Sequence, residues 1–271
     1  MSSIYNNNHQ QASSSSSSSA AAQDHYHHGI PGIPTDGLVV LLQNSKTGSQ
    51  VYLVGTVHVC KESAELVKKV IDYVRPDVVA VELCKRRAAA QMNWKAKDET
   101  LYTLFWNSLR APGGLCTKIY MFSQNYRSHR LHTFGILPGL EFKVAMEESS
   151  RMGARCFYID QDSAVIFQQF LKVVSSFELL QIAYDNYRAN IHPDFVYEKY
   201  TRSFARESNS NLKKQYPNIF KVRIEDRDKF MFTNLRNLEG KVVAVVGMAH
   251  MDGIELLWKL AEEEDDNCSV H

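Results

Sequence analysis

The chain has 271 residues, of which 44% are hydrophobic, and it carries 31 basic and 30 acidic side chains. A chain of this length buries a full core, and its formal charge of +1 argues against a nucleic-acid partner bound by bulk electrostatics. No apolar run reaches the ~18 residues of a membrane-spanning helix, so we expect no transmembrane segment. Five scattered cysteines form no CxxC pair, which indicates a reducing, intracellular compartment.

The N-terminal 36 residues differ in composition from the rest of the chain. They include an unbroken serine run at 13–19 and only two charged residues. Such a segment cannot bury enough apolar surface to offset its ordering entropy, so residues 1–36 are predicted to be a disordered tail. We expect residues 37–264 to form a single α/β domain and residues 265–271 to be a frayed C-terminus.

The first part of the predicted domain has the pattern of a β-hairpin followed by a βαβ unit. Residues 38–42 and 51–57 are β-rich runs joined by a turn-like segment. Apolar residues at helical spacing predict a helix over 61–75, and the apolar run at 78–83 is typical of a fully buried strand. A strand, a helix and a second buried strand within about 30 residues predict that the two strands are parallel.

The remaining chain is mostly helical up to residue 238 and then returns to the sheet. Helical patterns cover about 87–110, 115–127, 140–153 and 164–238, a short strand is predicted at 156–159, and a strand at 241–246 precedes a helix at about 252–263. We therefore predict an α/β fold with a central, mostly parallel sheet, an N-terminal hairpin and a large helical insertion, about 87–238, before the last core strand.

Two Gly-x-x-His tetrapeptides each follow an apolar strand. Gly55-Thr56-Val57-His58 ends one strand, and Gly247-Met248-Ala249-His250 ends the last one. Ligands of open α/β sheets bind at the carboxyl ends of the strands, so the two imidazoles are candidates for a shared divalent metal ion. The alternative is that each histidine only satisfies backbone groups at the start of a helix.

Glu82 ends a third apolar strand and is predicted to lie at the same sheet edge. A carboxylate there either ligates a metal or accepts a proton from water, and its alternative role is an ion pair with Lys85 or Arg86. A nucleophilic pair of Cys84 with His58 or His250 is a further alternative. The sequence contains no P-loop, GxGxxG, HExxH or Gly-x-Ser-x-Gly motif, which disfavours the mechanisms that depend on them.

Three segments resemble the TraB family, which includes bacterial pheromone-shutdown proteins and eukaryotic TraB-domain proteins and is related to the TIKI metalloproteases. They are Leu53-Val54-Gly55-Thr56-Val57-His58, Arg75-Pro76-Asp77-Val78-Val79-Ala80-Val81-Glu82-Leu83-Cys84 and Val245-Val246-Gly247-Met248-Ala249-His250. The likeness covers nearly the whole chain after the tail, in the same order. It implies an α/β fold with a central sheet and, from the TIKI-like relatives, metal-dependent peptide hydrolysis.

Position by position, the resemblance gives this chain a candidate metalloprotease-like site. His58, His250 and Glu82 are the expected ligands of a divalent cation, with zinc, manganese and cobalt all open. Glu141 or Glu82 is the expected general base for a peptide or amide substrate, and Arg227 the expected stabiliser of the oxyanion. For Glu141 the alternative role is a favourable interaction with a helix N-terminus.

Two departures from the family pattern keep a second hypothesis open. Gln161 stands where relatives usually have arginine, and Asp226 where they usually have glutamate. The alternative function is therefore a catalytically silent TraB-domain scaffold or adaptor that contacts a protein partner at a mitochondrial or endoplasmic-reticulum surface. The corresponding location is the cytoplasm, peripheral on the mitochondrial outer membrane or the endoplasmic reticulum.

Overall fold

The computed structural model describes residues 27–93, 100–189 and 201–268. The strands are β1 (Val39–Gln43), β2 (Gln50–Thr56), β3 (Val78–Val81), β4 (Arg155–Tyr158) and β5 (Lys241–Gly247). They form one sheet in the order β1-β2-β5-β3-β4, in which β1 is antiparallel to β2 and every other pair is parallel. The predicted α/β class, the hairpin and the mostly parallel sheet are confirmed.

The helices lie on both faces of the sheet and in a helical insertion. They are α1 (Lys61–Val74), α2 (Lys85–Met92), α3 (Leu101–Leu109), α4 (Leu115–Thr133), α5 (Leu140–Met152), α6 (Ser163–Val173), α7 (Ser176–Arg188), α8 (Arg202–Gln215), α9 (Pro217–Phe220), α10 (Asp226–Arg236) and α11 (Met248–Cys268). A π-helical turn, Lys221–Glu225, joins α9 to α10.

The core is divided by the sheet into two layers, as the alternation of side chains along β3 illustrates. Val79 and Val81 point into the layer that contains α1 and α5. Val78 and Ala80 point into the opposite layer, with apolar residues of α10 and α11. β3 and β5 are covered on both faces, and all their residues except Lys241 at the start of β5 are buried and non-polar.

Both ends of the predicted domain extend further than the sequence suggested. Ile30 and Ile33, which we placed in the disordered tail, are buried against α1, so the ordered chain begins before residue 37. Helix α11 continues beyond residue 263 because Asp265 is bound by Arg236 at 2.7 Å. The rest of the predicted tail, residues 1–26, and the last three residues lie outside the described residues.

Among the helices that the structure describes, none is by itself long and apolar enough to cross a bilayer. Only α6 and α7 taken together reach that length and composition, and they are bent by 119° relative to each other.

Candidate functional site

A cluster of charged and polar side chains lies at the carboxyl edge of the parallel strands. Glu82 follows β3, Asp160 lies two residues after β4, and His58 lies two residues after β2. His250 follows β5, in the first turn of α11. Since the carboxyl ends of parallel strands meet at one sheet edge, the topology alone brings these four side chains together.

Glu82 lies in the middle of the cluster and is almost completely buried. Its Oε2 accepts a hydrogen bond from the Gly247 backbone N–H at 2.6 Å, and its Oε1 forms an ion pair with Arg227. The same Oε1 lies 3.4 Å from Nε2 of His250. Glu82 therefore connects the end of β5 with both a guanidinium and an imidazole.

Each histidine is held through its Nδ1 atom by a separate buried carboxylate. Nδ1 of His58 lies 2.6 Å from Oε1 of Glu141, which is fully buried at the start of α5. Nδ1 of His250 lies 2.5 Å from Oδ1 of Asp228 on α10. With Nδ1–H donated to the carboxylate, the lone pair of a neutral imidazole is on Nε2.

The Nε2 atoms of the two histidines have different surroundings. Nε2 of His58 and Oε2 of Glu82 both face Gly247, where a Cβ atom would stand 3.0 and 3.3 Å from them. The His58 side chain is 43% exposed, whereas that of His250 is only 4% exposed. Glycine at position 247 thus permits the close approach of His58 and Glu82 to the end of β5, and of the two imidazoles that of His58 is the more exposed to solvent.

Arg227 uses all five of its N–H groups within this site. Its Nε and Nη2 atoms donate to the two carboxylate oxygens of Asp160, at 3.0 and 2.9 Å. Nη2 also donates to Glu82. Nη1 donates to Nε2 of His250 at 3.0 Å and to the Arg223 carbonyl at 3.2 Å. Because a guanidinium has five donors, none is left for a substrate oxygen in this arrangement.

The surrounding charges shift the pKa values of the carboxylates in opposite directions. Burial alone would raise the pKa of Glu82, but His250, Arg227 and His58 together hold it well below its usual range. For Asp228 burial dominates, and its pKa is raised despite the hydrogen bond to His250. The pKa of Arg227 is raised because the attraction of Glu82 and Asp160 exceeds the effect of burial. Glu82 is therefore the firmly ionised carboxylate of the site.

The pKa of His58 is raised above that of a free histidine. Loss of water around the ring acts to lower it, but the hydrogen bond and the charge of Glu141 outweigh that effect. A raised pKa means that the His58–Glu141 pair contributes its full stability below the ordinary histidine value, about 6.5. That contribution is lost as pH rises through the raised value.

We expect Glu141→Gln to lower the pKa of His58 to below the free-histidine value. The amide has no charge to stabilise imidazolium, so the effect of burial is left to dominate. The measurement is an NMR titration of the His58 ring proton in chelator-treated protein, with wild type as reference and His129, on α4, as the control resonance. A His58 pKa that stays raised in the variant would contradict the role given to Glu141.

The structure brings together all five residues that the sequence singled out: His58, His250, Glu82, Glu141 and Arg227. Glu82 pairs with Arg227 rather than with Lys85 or Arg86, so that alternative is wrong. In the part of the chain that is described, neither histidine hydrogen-bonds to a cysteine.

Two site residues were missed, Asp160 and Asp228. Both could have been inferred from the sequence, since Asp160 follows a strand as Glu82 does and Asp228 is adjacent to Arg227. The two family departures lie beside these residues. The Gln161 backbone donates to Asp160 at 2.9 Å, while Asp226 pairs with Lys221 at 2.9 Å, away from the cluster.

The side chains of this site are of the types that bind divalent metals, but they are not arranged as a complete ligand set. Across the described residues, no three His, Cys, Asp or Glu side chains are arranged as a ready-made ligand set. Arg227 also contacts both Glu82 and Nε2 of His250, two of the expected donors. The donor types nevertheless fit a metal, because carboxylates bound at Nδ1 orient both imidazoles as in metal sites. Oε2 of Glu141 is also buried without a hydrogen-bond partner.

The fold is that of an α/β protein with a buried polar cluster at the carboxyl edge of a mostly parallel sheet, the edge at which such proteins bind ligands. Residues 40–105 match the model of the TraB/PrgY/gumN family. An uncharacterized protein of Methanocaldococcus jannaschii is 30% identical over 82% of this chain. TraB domain-containing proteins of Bos taurus and Homo sapiens are 27% and 26% identical over 79% of it. The family match and these relatives support a TraB domain family protein.

The match covers only part of the relatives' length. It spans 57% of the archaeal protein and 64% of each mammalian protein.

Proposed function

We propose that this protein is a metal-dependent hydrolase acting on a peptide or a related amide, with a divalent cation held by His58, His250 and Glu82. The observation that carries the proposal is the paired orientation of the two imidazoles. Each is bound at Nδ1 by its own buried carboxylate, Glu141 or Asp228, and Glu82 lies next to both rings. Such carboxylate–histidine pairs raise the basicity of a ligating imidazole and fix its orientation.

The proposed roles of the carboxylates follow from their burial. Glu141 is fully buried and its Oε1 is committed to His58, so we assign it as the positioning residue of that ring rather than as the general base. Asp228 has the same role for His250. Glu82, whose pKa is held low, is ionised at neutral pH and is therefore the carboxylate suited to ligate the cation. Acceptance of a proton from water by Glu82 stays a prediction, because a lowered pKa weakens a general base.

A cation bound here would supply the chemistry that it supplies in metallohydrolases, which is to lower the pKa of a bound water and to polarise a scissile carbonyl. This chain's residues would orient the reacting groups around it. His58 is the more exposed imidazole, so substrate approaches from its side. Stabilisation of the oxyanion by Arg227 stays a prediction that requires at least one of its five N–H groups to be released.

Metal content is the test of this proposal. Full-length protein purified without a histidine tag is analysed for bound metal, before and after addition of zinc, manganese or cobalt, beside His58→Ala with His250→Ala. We expect about one equivalent in wild type and none in the variant. A peptide library then tests hydrolysis, which we expect only from the metal-loaded wild type.

The matched control removes two histidines outside the site, His129→Ala with His132→Ala on α4. It keeps the histidines of the N-terminal segment, so weak binding there is common to all three proteins. Equal metal content in wild type and in the site variant would overturn the ligand assignment, and an absence of metal from wild type under all conditions would overturn the function.

A second candidate function is a scaffold or adaptor at a mitochondrial or endoplasmic-reticulum surface. The observation that favours it is the closed network of Arg227, which already neutralises Glu82 and binds Nε2 of His250. In that case the cluster stabilises the sheet edge and holds no metal. The metal analysis separates the two functions, because only the hydrolase requires His58 and His250 for metal binding.

A further inference from the structure

We infer that Arg227 competes with a divalent metal for this site: its guanidinium holds Glu82 and Nε2 of His250 in the metal-free protein and leaves both when the metal binds. The inference rests on the proposed function, since it concerns the same ligands. Metal binding then has to displace an internal cation, and breaking the contacts of that cation lowers the affinity for the metal.

Arg227 occupies atoms that a metal needs. Nε2 of His250 has one lone pair, and at 3.0 Å it accepts a hydrogen bond from Nη1 of Arg227. The other ring nitrogen is bound to Asp228, so the His250 ring has no second lone pair to offer. A metal therefore binds His250 only after the contact with Arg227 is broken.

Arg227 also supplies positive charge to a cluster of carboxylates. Glu82, Asp160 and Asp228 bring three carboxylates into one largely buried cluster, and Arg227 is the only guanidinium or ammonium that contacts Glu82 in the described residues. A guanidinium and a divalent cation bound to the same carboxylate are both positively charged, so they repel each other strongly in a poorly solvated site. The two cations are therefore alternatives for Glu82.

Arg227 keeps a carboxylate partner, Asp160, after it releases Glu82 and His250. Both oxygens of Asp160 are bound by Arg227, at 3.0 and 2.9 Å, whereas Glu82 receives a single N–H from Arg227. Asp160 belongs to the end of β4, on the other side of β3 from β5. The guanidinium can give up Glu82 and His250 while it stays paired with Asp160, so release does not leave a buried charge without a partner.

By contrast, His58 requires no such release. No hydrogen bond to its Nε2 is present within the described residues, and that atom approaches the Gly247 backbone closely. The two Gly-x-x-His motifs are therefore unequal, because Nε2 of His250 is bound by Arg227 and Nε2 of His58 is not.

The experiment is a calorimetric titration of chelator-stripped, full-length protein with zinc, manganese or cobalt alone, comparing wild type with Arg227→Gln and Arg227→Lys. We expect Arg227→Gln to bind metal about tenfold more tightly, since the competing charge is gone. Arg227→Lys keeps the charge without the fork of donors, so its affinity should lie between the two. Stripped Arg227→Gln should also melt below wild type, and added metal should raise its Tm by the larger amount.

The control is Arg86→Gln, which removes one positive charge at the same sheet edge. Arg86 is exposed and binds Ser163 and Asp162 without contacting Glu82 or His250, so its loss should leave metal affinity within about twofold of wild type. If Arg227→Gln does not fold, Arg227→Lys carries the comparison.

The possible outcomes separate this inference from the proposed function. If wild type binds metal and both Arg227 variants bind it with equal or lower affinity, the competition is overturned and the metal site is still supported. Binding by an Arg227 variant but not by wild type supports the competition. An absence of binding in all proteins overturns the metal site and the competition with it.

Discussion

Replacement of Glu82 by alanine is expected to lower the free energy of unfolding by about 3–5 kcal/mol, the usual cost of removing one partner of a buried ion pair. Glu82 is almost fully buried and Arg227 is only 13% exposed, so the N–H that Arg227 gives to Glu82 is not recovered by water, although the guanidinium stays paired with Asp160. The Gly247 N–H at the end of β5 also loses its acceptor. This single carboxylate is thus expected to stabilise the junction of three strands.

The measurement is equilibrium urea denaturation of chelator-treated protein, with Glu65→Ala, an exposed carboxylate on α1, as the control. Because the pKa of Glu82 is depressed in the folded state, its contribution is present above the ordinary glutamate value, about 4.3, and is lost only as pH falls through the depressed value. The difference between wild type and Glu82→Ala should therefore be constant from neutral pH down to about pH 4. A difference below about 1 kcal/mol at neutral pH, as for a surface pair, would show that Arg227 does not depend on Glu82.

His58→Ala is expected to destabilise the protein by about 3 kcal/mol, although the His58 ring itself is partly exposed. The cost arises at Glu141, which is fully buried, has Oε2 without a partner and relies on His58 for its Oε1. Without the imidazole, a carboxylate is left in the interior with no hydrogen bond from a side chain. The stability of the site therefore depends on the histidine that faces solvent.

A double-mutant cycle with Glu141→Gln measures this coupling. Combining His58→Ala with Glu141→Gln should recover more than half of the lost stability, because a neutral amide is less costly to bury than a carboxylate. His129→Ala is the matched control for loss of an imidazole elsewhere and should change stability by less than about 0.5 kcal/mol. Additive effects of the two site substitutions would contradict the pairing.

Features that depend on residues close together in sequence were predicted correctly, and the placement of residues at the carboxyl edge of the sheet is the clearest case. The apolar run of β3 has to be buried on both faces, so it predicts a central strand, and Glu82 directly after it is placed at the carboxyl end. The same reasoning placed His58 correctly after β2. Such predictions succeed because strand burial and the position of a residue after a strand depend on a few neighbouring residues.

The His250 motif was only partly predictable. The sequence pattern suggested a turn after β5 and a helix from about residue 252, but α11 begins at Met248. His250 therefore lies on a helix, whereas His58 lies in a loop between β2 and α1. The two tetrapeptides look equivalent in sequence, and their different conformations follow from the segments that pack around them.

The sequence by itself determined the α/β class, the parallel strands and the placement of His58, Glu82 and His250 at one sheet edge. Only the tertiary structure decided which partners these three groups have. Arg227 and Asp228 reach the site because α10 packs on the same sheet layer as α11, and Glu141 reaches His58 because α5 packs on the other layer. These contacts join residues 22 to 145 positions apart, so their formation depends on how whole helices pack and not on local pattern.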